Sequence, residues 1–314
     1  MRVFTDHREV DGQFSNAWLA IGNFDGLHRG HQALIDMVRH GSGPAHPAAV
    51  MSFEPHPSRV LSPDLAPPLL CTKEEKAQGL RNLGVDVCLL QTFTKEWAAT
   101  SPTAFVQEVL IDSLDVGHVV VGPDFSFGRK AQGNTALLRM ILEENGRALS
   151  IVDPVREKGL VCSSTKVREF VLQGKVDIAQ RLLGHLYWLS GTVVPGDQRG
   201  RKLGFPTANI ETKREVLPAV GVYATWVKTE DGRVFKSITN IGLRPTFDGD
   251  HLRIETHLFD FNETLYNQSL RLYFADHVRN EKRFSSADEL RSQITIDCTH
   301  AKEALMGSEP RFGP

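Results

Sequence analysis

His28 and His31 stand three residues apart in GNFDGLHRGH, a loop with three glycines that follows the apolar run AWLAIGNF and opens the helical pattern HQALIDMVRH. Glycines let a backbone approach a polyphosphate closely, and the free N–H groups of a helix start favour negative charge. The i, i+3 spacing puts both imidazoles on one side of the first turn, where they can donate to phosphate oxygens. Taken alone, the two residues fit a capped turn with surface histidines equally well. A second stretch, SSTKVREF (Ser163 to Phe170), opens another helix with Ser164, Thr165, Lys166 and Arg168. Ser and Thr are ordinary helix caps, but cationic donors one turn on also suit an anion. A third, RGRKLGFPTANI (199–210), is a basic, glycine-containing loop in which Pro206 fixes the backbone before Thr207 and Asn209. Their oxygens, two residues apart on extended chain, project the same way and are hard ligands suited to Mg²⁺. PTAN alone reads as well as a proline-punctuated strand. Glu255, within RIETHLFDF, sits in a strand-like alternation. Facing inward, it would need a partner or a use, such as taking the proton of an alcohol that attacks a γ-phosphate; facing water, it needs neither.

The elements that must position these groups follow two rhythms. Through the first half, strand-like runs (AWLAIGNF, AAVMSFEP, VDVCLLQTF, HVVVGPDF, ALSIVDPV) alternate with helical patterns. In the first of those helices Ala33, Leu34, Met37 and Val38 share a face; TKEEKAQGLRNLG has Thr72 as N-cap and Gly84 past its end, and Pro102 suits the first turn of SPTAFVQEVLIDSL. Strict alternation implies parallel strands with right-handed crossovers, an α/β, doubly wound sheet. Ligands of such sheets bind beyond the carboxyl ends of the strands, where GNFDGLHRGH lies. From WLSGTVVPG onward strands follow one another, with Asp231-Gly232 a two-residue hairpin signal, which predicts a small antiparallel β-barrel. SADELRSQITIDCTHAKEAL closes the chain as a helix. The rhythm changes near Leu183 to Leu186, giving domains of residues 1–184 and 185–314.

Bulk properties narrow the function classes. The chain has 314 residues, enough for two domains, and its 41% hydrophobic and 24% charged content is ordinary for a globular protein. A net charge of −2, with no basic tract, disfavours binding to bulk nucleic acid. Cys71, Cys88, Cys162 and Cys298 form no C-x-x-C pair, and the N-terminus MRVFTDHREV lacks an apolar core. A reduced, cytoplasmic setting is expected, with small-molecule substrates, neither nucleic acid nor membrane as partner, and a monomer or weak oligomer. No G-x-x-x-x-G-K-[ST] stretch is present, so any kinase chemistry runs without a Walker loop.

An H-x-G-H loop paired with a late Ser-Thr-rich basic loop resembles the nucleotidyltransferase superfamily. GNFDGLHRGHQ, FEPHP (Phe53 to Pro57), VGPDFSFG (Val121 to Gly128) and SSTKVR together resemble the N-terminal module of the bacterial bifunctional riboflavin kinase/FMN adenylyltransferases, the prokaryotic FAD synthetases. GRKLGFPTAN, GVYA, NIGLRPTF, IETHLFDF and RNEKRFSSADELRSQI resemble their riboflavin kinase module. The resemblance spans nearly the whole chain and implies two activities, riboflavin to FMN and FMN to FAD, with ATP and Mg²⁺. It implies that Gly22, Asn23, His28 and His31 cradle the triphosphate with Ser164, Thr165 and Arg168, and that Asp25, Asp124, Phe125 and Phe127 lie around the flavin nucleotide. The histidines and Arg168 then stabilise charge, because an FMN phosphate is already an anion and needs no strong base. In the second module it implies that Thr207 and Asn209 hold Mg²⁺–ATP, that Glu255 is the base toward the ribityl hydroxyl, that Lys202 and Gly204 cover the nucleotide, and that Arg279, Glu281 and Phe284 close over the flavin. Asn134, where many relatives carry an acid, and Cys162, replacing a usual aliphatic residue, depart from the pattern. A nicotinamide or pantetheine adenylyltransferase would leave the second domain unexplained. A flavin- or RNA-binding regulator without catalysis would not need H-x-G-H, PTAN and Glu255 intact.

Overall fold

The computed structural model describes residues 1–196, 200, 203–246, 249–307 and 312–313. Two compact units, Met1–Ser163 and Ser164–Gly313, make up the chain.

In the first unit, short apolar runs become strands buried on both faces, as a covered parallel sheet requires. The elements run β1 (Arg2–Phe4), β2 (Trp18–Ile21), α1 (Arg29–Gly41), β3 (Ala48–Glu54), α2 (Pro57–Leu61), α3 (Lys73–Asn82), β4 (Val87–Thr92), α4 (Lys95–Ala98), α5 (Pro102–Ala104), β5 (His118–Val121), α6 (Thr135–Glu144) and β6 (Ala148–Ile151). Strand order is β1-β4-β3-β2-β5-β6, with every neighbouring pair parallel. Alternate residues feed two separate cores: Leu19, Ile21, Ala49 and Met51 pack on one face of the sheet, Ala20, Ala48 and Val50 on the other. The chain runs outward from β2 through β3 to β4, then restarts at β5 on β2's other side. The order therefore reverses between β2 and β5, and the loop that opens at Gly22 leaves the carboxyl end of β2 at this switch point.

Local signals explain the helix limits. Thr72 and Glu75 form a reciprocal capping box at α3, and Gly84 lies beyond its end at φ +81°. Pro102 opens the helical stretch predicted over residues 101–114, which continues as a π-helix over Phe105–Ser113. The buried face of α1 centres on Leu34, Ile35 and Val38, with Met37 beside it, rather than on Ala33. Asn134 accepts from the Leu137 N–H and caps α6, and Cys162 is buried. A two-stranded hairpin, β7 (Arg156–Glu157) with β8 (Leu160–Val161), follows the sheet.

In the second unit, α7 (Ser164–Leu172) and α8 (Val176–Leu183) precede β9 (Tyr187–Val194), β10 (Ala208–Glu211), β11 (Gly221–Lys228), β12 (Val234–Thr246), β13 (Gly249–Leu258), β14 (Ser269–Arg279) and α9 (Ala287–Ala304). The strands close an antiparallel barrel in the order β10-β13-β12-β11-β14-β9. The change of rhythm near 184/185 and the division of contacts at Ser163/Ser164 mark different things. α7 and α8 carry the helical pattern of the first half, yet α8 packs on β9 and β14. The hairpin signalled by Asp231-Gly232 is wider than two residues: Lys228 pairs with Val234, and Thr229 N–H donates to the Arg233 carbonyl. The Asp231 carboxylate, bound to Thr229 Oγ1 and the Arg233 N–H, fills the longer turn. Strand alternation gives the barrel two surfaces. Val222, Ala224 and Trp226 pack with Cys298, Ala301 and Leu305 of α9, while the intervening Thr225 bonds Ser237 and Thr239 at 2.7 Å each. Thr239 in turn bonds Thr256 at 2.9 Å, and all four hydroxyl residues are fully buried. Among the described residues, no helix is long and apolar enough to cross a membrane.

Thr225→Val keeps the shape but leaves the Ser237 and Thr239 hydroxyls short of a partner. It is expected to destabilise the barrel by about 1–3 kcal/mol, read from urea unfolding followed by tryptophan fluorescence.

Candidate functional sites

The Gly22–His31 loop is held by three anchors. At its start, Gly22 N–H donates to the Met51 carbonyl at 3.1 Å, and Ser52 Oγ donates to the Asn23 carbonyl at 3.0 Å. In its middle, the Asp25 carboxylate accepts from Leu70 N–H at 2.9 Å and Cys71 N–H at 3.2 Å. Gly26, at φ +80° with Leu70 only 2.8 Å from where a Cβ would sit, lets the backbone pass. At its end, His28 is the N-cap of α1, its Nδ1 accepting from the His31 N–H at 3.4 Å. An imidazole that accepts on Nδ1 carries its proton on Nε2. The His28 and His31 rings stack with centroids 3.7 Å apart, and Phe24 lies 5.1 Å from His31. Burial drives the pKa of His28 down to about 4. Burial first, then the charges of His28 and Lys76, holds His31 well below the ordinary imidazole range. His31 Nδ1 is buried with no hydrogen-bond partner among the described residues.

Beside the opening of this loop lies a cavity of about 720 Å³, within the range of small-ligand sites. Gly22, Asn23, Asp124, Phe125 and Phe127 line it, so five of the residues singled out in the sequence converge. Phe125 and Phe127 stack at 5.5 Å with Phe105 beside them, and Phe53, Phe93 and Trp97 complete an aromatic wall. Lys95, Arg129 and Lys130 add cations to the lining. Asp25 is not brought into this cavity: its carboxylate is turned to the Leu70 and Cys71 amides. His28 and His31 stand at the far end of the same loop, outside the cavity lining. Ser164 and Thr165 open α7 in the other unit, and Arg168 is buried there.

In the barrel, register places Asn209, Glu255 and Asn240 in one transverse row across β10, β13 and β12. Glu255 faces a cavity of about 440 Å³ lined also by Thr207, Asn240, Arg253, His257, Arg279, Glu281 and Phe284, with Leu290 and Ile294 of α9 across it. Arg253 sits between two of these groups, its Nε donating to Asn209 Oδ1 at 2.7 Å and a terminal nitrogen 3.2 Å from Glu255 Oε1. The guanidinium of Arg279 is clamped by Asp297 of α9 at 2.8–3.0 Å and lies over the Phe284 ring. Thr207 also lines a second cavity of about 230 Å³ with Pro206, Leu258, Phe261 and Tyr266, so it stands on the border between the two. Gly204, at φ +90°, turns the chain into this segment. Lys202 lies outside the described residues. The oxygens of Thr207 and Asn209 are hard donors that fit Mg²⁺, and Asn209 Oδ1 keeps a second lone pair beyond the one given to Arg253. Among the described residues no group of three or more His, Cys, Asp and Glu could hold a metal ion.

Residues 11–166 match the family model described as FAD synthetase, and residues 183–305 match the one described as riboflavin kinase. The bifunctional riboflavin kinase/FMN adenylyltransferase of Escherichia coli (strain K12) is 39% identical over 93% of this chain and 94% of that one. The protein of the same description from Bacillus subtilis (strain 168) is 35% identical over 93% of each. The chain belongs to this family. A solved structure described as a macrolide-efflux protein from Streptococcus pneumoniae shares the fold, with a TM-score of 0.86 and 28% identity over 96% of this chain and 98% of that one.

In this riboflavin kinase/FMN adenylyltransferase chain, the FAD synthetase match ends just past Ser164 and Thr165 and before Arg168. Sequence reasoning missed Lys95 and Trp97 of α4, Arg129 and Lys130, and Arg253 and His257, which flank Glu255 two residues away on the same face of β13. Two signals were available: Arg129 and Lys130 directly follow DFSFG, and Arg253 and His257 share the period-two face of Glu255 within RIETHLFDF.

The depressed histidines carry a pH signature. A group whose folded pKa lies below its unfolded value stabilises the fold above the unfolded value and loses that contribution as pH falls toward the folded one. For His28 the window runs from 6.5 down to about 4. Protection of the α1 amides from hydrogen exchange is expected to fall across this window, by up to about 3 kcal/mol. His28→Asn, which retains a capping side chain, should flatten that dependence.

Proposed function

We propose that this chain makes FMN from riboflavin in its barrel unit and FAD from FMN in its parallel-sheet unit, using ATP in both. The observation that carries the reading is the coincidence of two flavin-sized cavities, each beside phosphate-type chemistry, with two family matches in the same order along the chain. In the first unit the aromatic wall suits a flat flavin ring, and Lys95, Arg129 and Lys130 suit the FMN phosphate. The FMN phosphate oxygen forms a bond to the α-phosphorus of ATP as the α–β bridge breaks and pyrophosphate leaves. That nucleophile is already ionised, so the protein's task is alignment and charge. Neutral His28, buried, and His31, partly buried, at the N-terminus of α1 offer ring N–H donors and the helix's own partial positive charge to the triphosphate. Ser164, Thr165 and Arg168 keep the nucleotide-binding role that their motif implies.

In the barrel, riboflavin takes the larger cavity and ATP the smaller, with Thr207 at their border. Glu255 takes the proton of the ribityl hydroxyl as its oxygen bonds to the γ-phosphorus and ADP leaves. Thr207 and Asn209 hold Mg²⁺, which supplies neutralisation of the phosphates; Lys202 and Gly204 belong to the loop over the nucleotide. Arg279, fixed by Asp297, positions Glu281 and Phe284 against the flavin. The functional domains run over residues 1–184 and 185–314, a division that follows the change of rhythm and assigns α7 and α8 to the first activity although the contacts divide at Ser163/Ser164. The four free, buried cysteines support a cytoplasmic setting, and the chain acts on small molecules as a monomer or weak oligomer.

Incubating the chain with riboflavin, Mg²⁺ and ATP and separating products by chromatography tests the reading; absence of both FMN and FAD would refute it. Glu255→Gln should lower FMN formation at least ~100-fold while FAD formation from added FMN persists. His31→Ala should lower FAD formation by about 100-fold with FMN formation intact.

A further inference from the structure

We infer that Lys76 is a positioning residue for adenylyl transfer, acting on the Gly22–His31 loop from beneath; the inference rests on the adenylyltransferase reading above. Lysine is almost never fully buried without a partner, yet Lys76, in the first turn of α3, is 5% exposed. Among the described residues it forms no ion pair with a carboxylate, and its hydrogen bond runs to Ser52 Oγ at 3.4 Å.

Donor arithmetic gives this contact a direction. An ammonium only donates, so Ser52 must accept from Lys76 and spend its single proton on the Asn23 carbonyl, 3.0 Å away. The relay from Lys76 through Ser52 to Asn23, together with the Gly22 N–H bond to Met51, fixes the first two loop residues on β3. Those two residues line the flavin-sized cavity, while the same loop ends in the histidine pair. Lys76 also acts through space. The titratable groups that bear on His31 are His28, stacked upon it, and Lys76 from α3; the nearby Asp25 carboxylate is engaged by the Leu70 and Cys71 amides, and the Cys88 thiol of β4 is pushed up to about 12 by burial, so it stays neutral. Burial is the main reason that the His31 pKa lies low, and the Lys76 ammonium behind the imidazole adds to it in the same direction. Lys76 thereby couples the geometry of one end of the loop to the protonation of the other.

The test uses the full chain, whose riboflavin kinase activity reports folding independently. Lys76→Met is expected to cut the kcat of FMN adenylylation at least ~10-fold, to weaken inorganic pyrophosphate binding several-fold by calorimetry, and to raise the NMR titration midpoint of the His31 ring. Ser52→Ala, which breaks the relay and keeps the charge, should lower kcat without moving that midpoint. Lys76→Arg should retain the low midpoint. An unchanged kcat and midpoint in Lys76→Met overturns the inference. If Lys76→Met does not fold, Ser52→Ala with full adenylylation, or Lys76→Arg with a raised midpoint, overturns it. Loss of FAD formation in His31→Ala with none in Lys76→Met sinks this inference alone; a wild-type chain that makes no FAD sinks the reading beneath it.

Discussion

A ring nitrogen that caps its own helix cannot hold a proton at the same time, and that constraint on His28 organises the first unit. By accepting from the His31 N–H, His28 Nδ1 ends the loop, starts α1 and fixes its own tautomer. The helix start then lies at the reversal of strand order between β2 and β5, where a parallel sheet leaves room for a ligand. The loop can be this short only because its middle is tied down by a carboxylate that serves two backbone amides. Asp25 thus spends its charge on holding the loop's backbone.

Period-two alternation organises the second unit. In β13, Thr256 turns into the barrel and joins a chain of buried hydroxyls, so Glu255 must turn outward, toward the cavity beneath α9. Register then brings Asn209 and Asn240 alongside it from either neighbouring strand. A one-residue slip would exchange the hydroxyl chain for the carboxylate and bury an ionised group in the barrel, so the interior satisfies its own polar groups and in doing so pins the functional row.

The element types and order were legible because their signals are local: Thr72 with Glu75, Pro102, and apolar runs bounded by glycine. β1 was not, since three residues give no period to read, and it is recognisable only by its pairing with β4. The Asp231-Gly232 turn was placed correctly but its width was set by side-chain bonds that a dipeptide does not announce. In the sites, contiguous motifs led to Gly22, Asn23, Phe125, Phe127, Thr207 and Glu255. Asp25 shares a motif with them and still faces away from the cavity, because spacing gives proximity along the chain and not side-chain direction. Lys95 became visible only once the fold had brought its turn to the cavity, whereas Arg253 lay two residues before Glu255 on the same strand face.

The two units meet the same electrostatic problem in opposite ways. Adenylyl transfer begins with an anion attacking an anion, and the first unit offers imidazoles with lowered pKa, a helix start, and a cavity lined by Lys95, Arg129 and Lys130. Phosphoryl transfer to riboflavin begins with a neutral alcohol that must lose a proton, and the barrel cavity presents the Glu255 carboxylate. A lone carboxylate there would be costly to hold ionised in a half-buried cavity, and Arg253 offsets that cost by bridging Glu255 and Asn209. The same guanidinium occupies one lone pair of an amide oxygen suited to a cation. The protein therefore carries a resident positive charge between Glu255 and Asn209, and that charge ties β13 to β10 within the row.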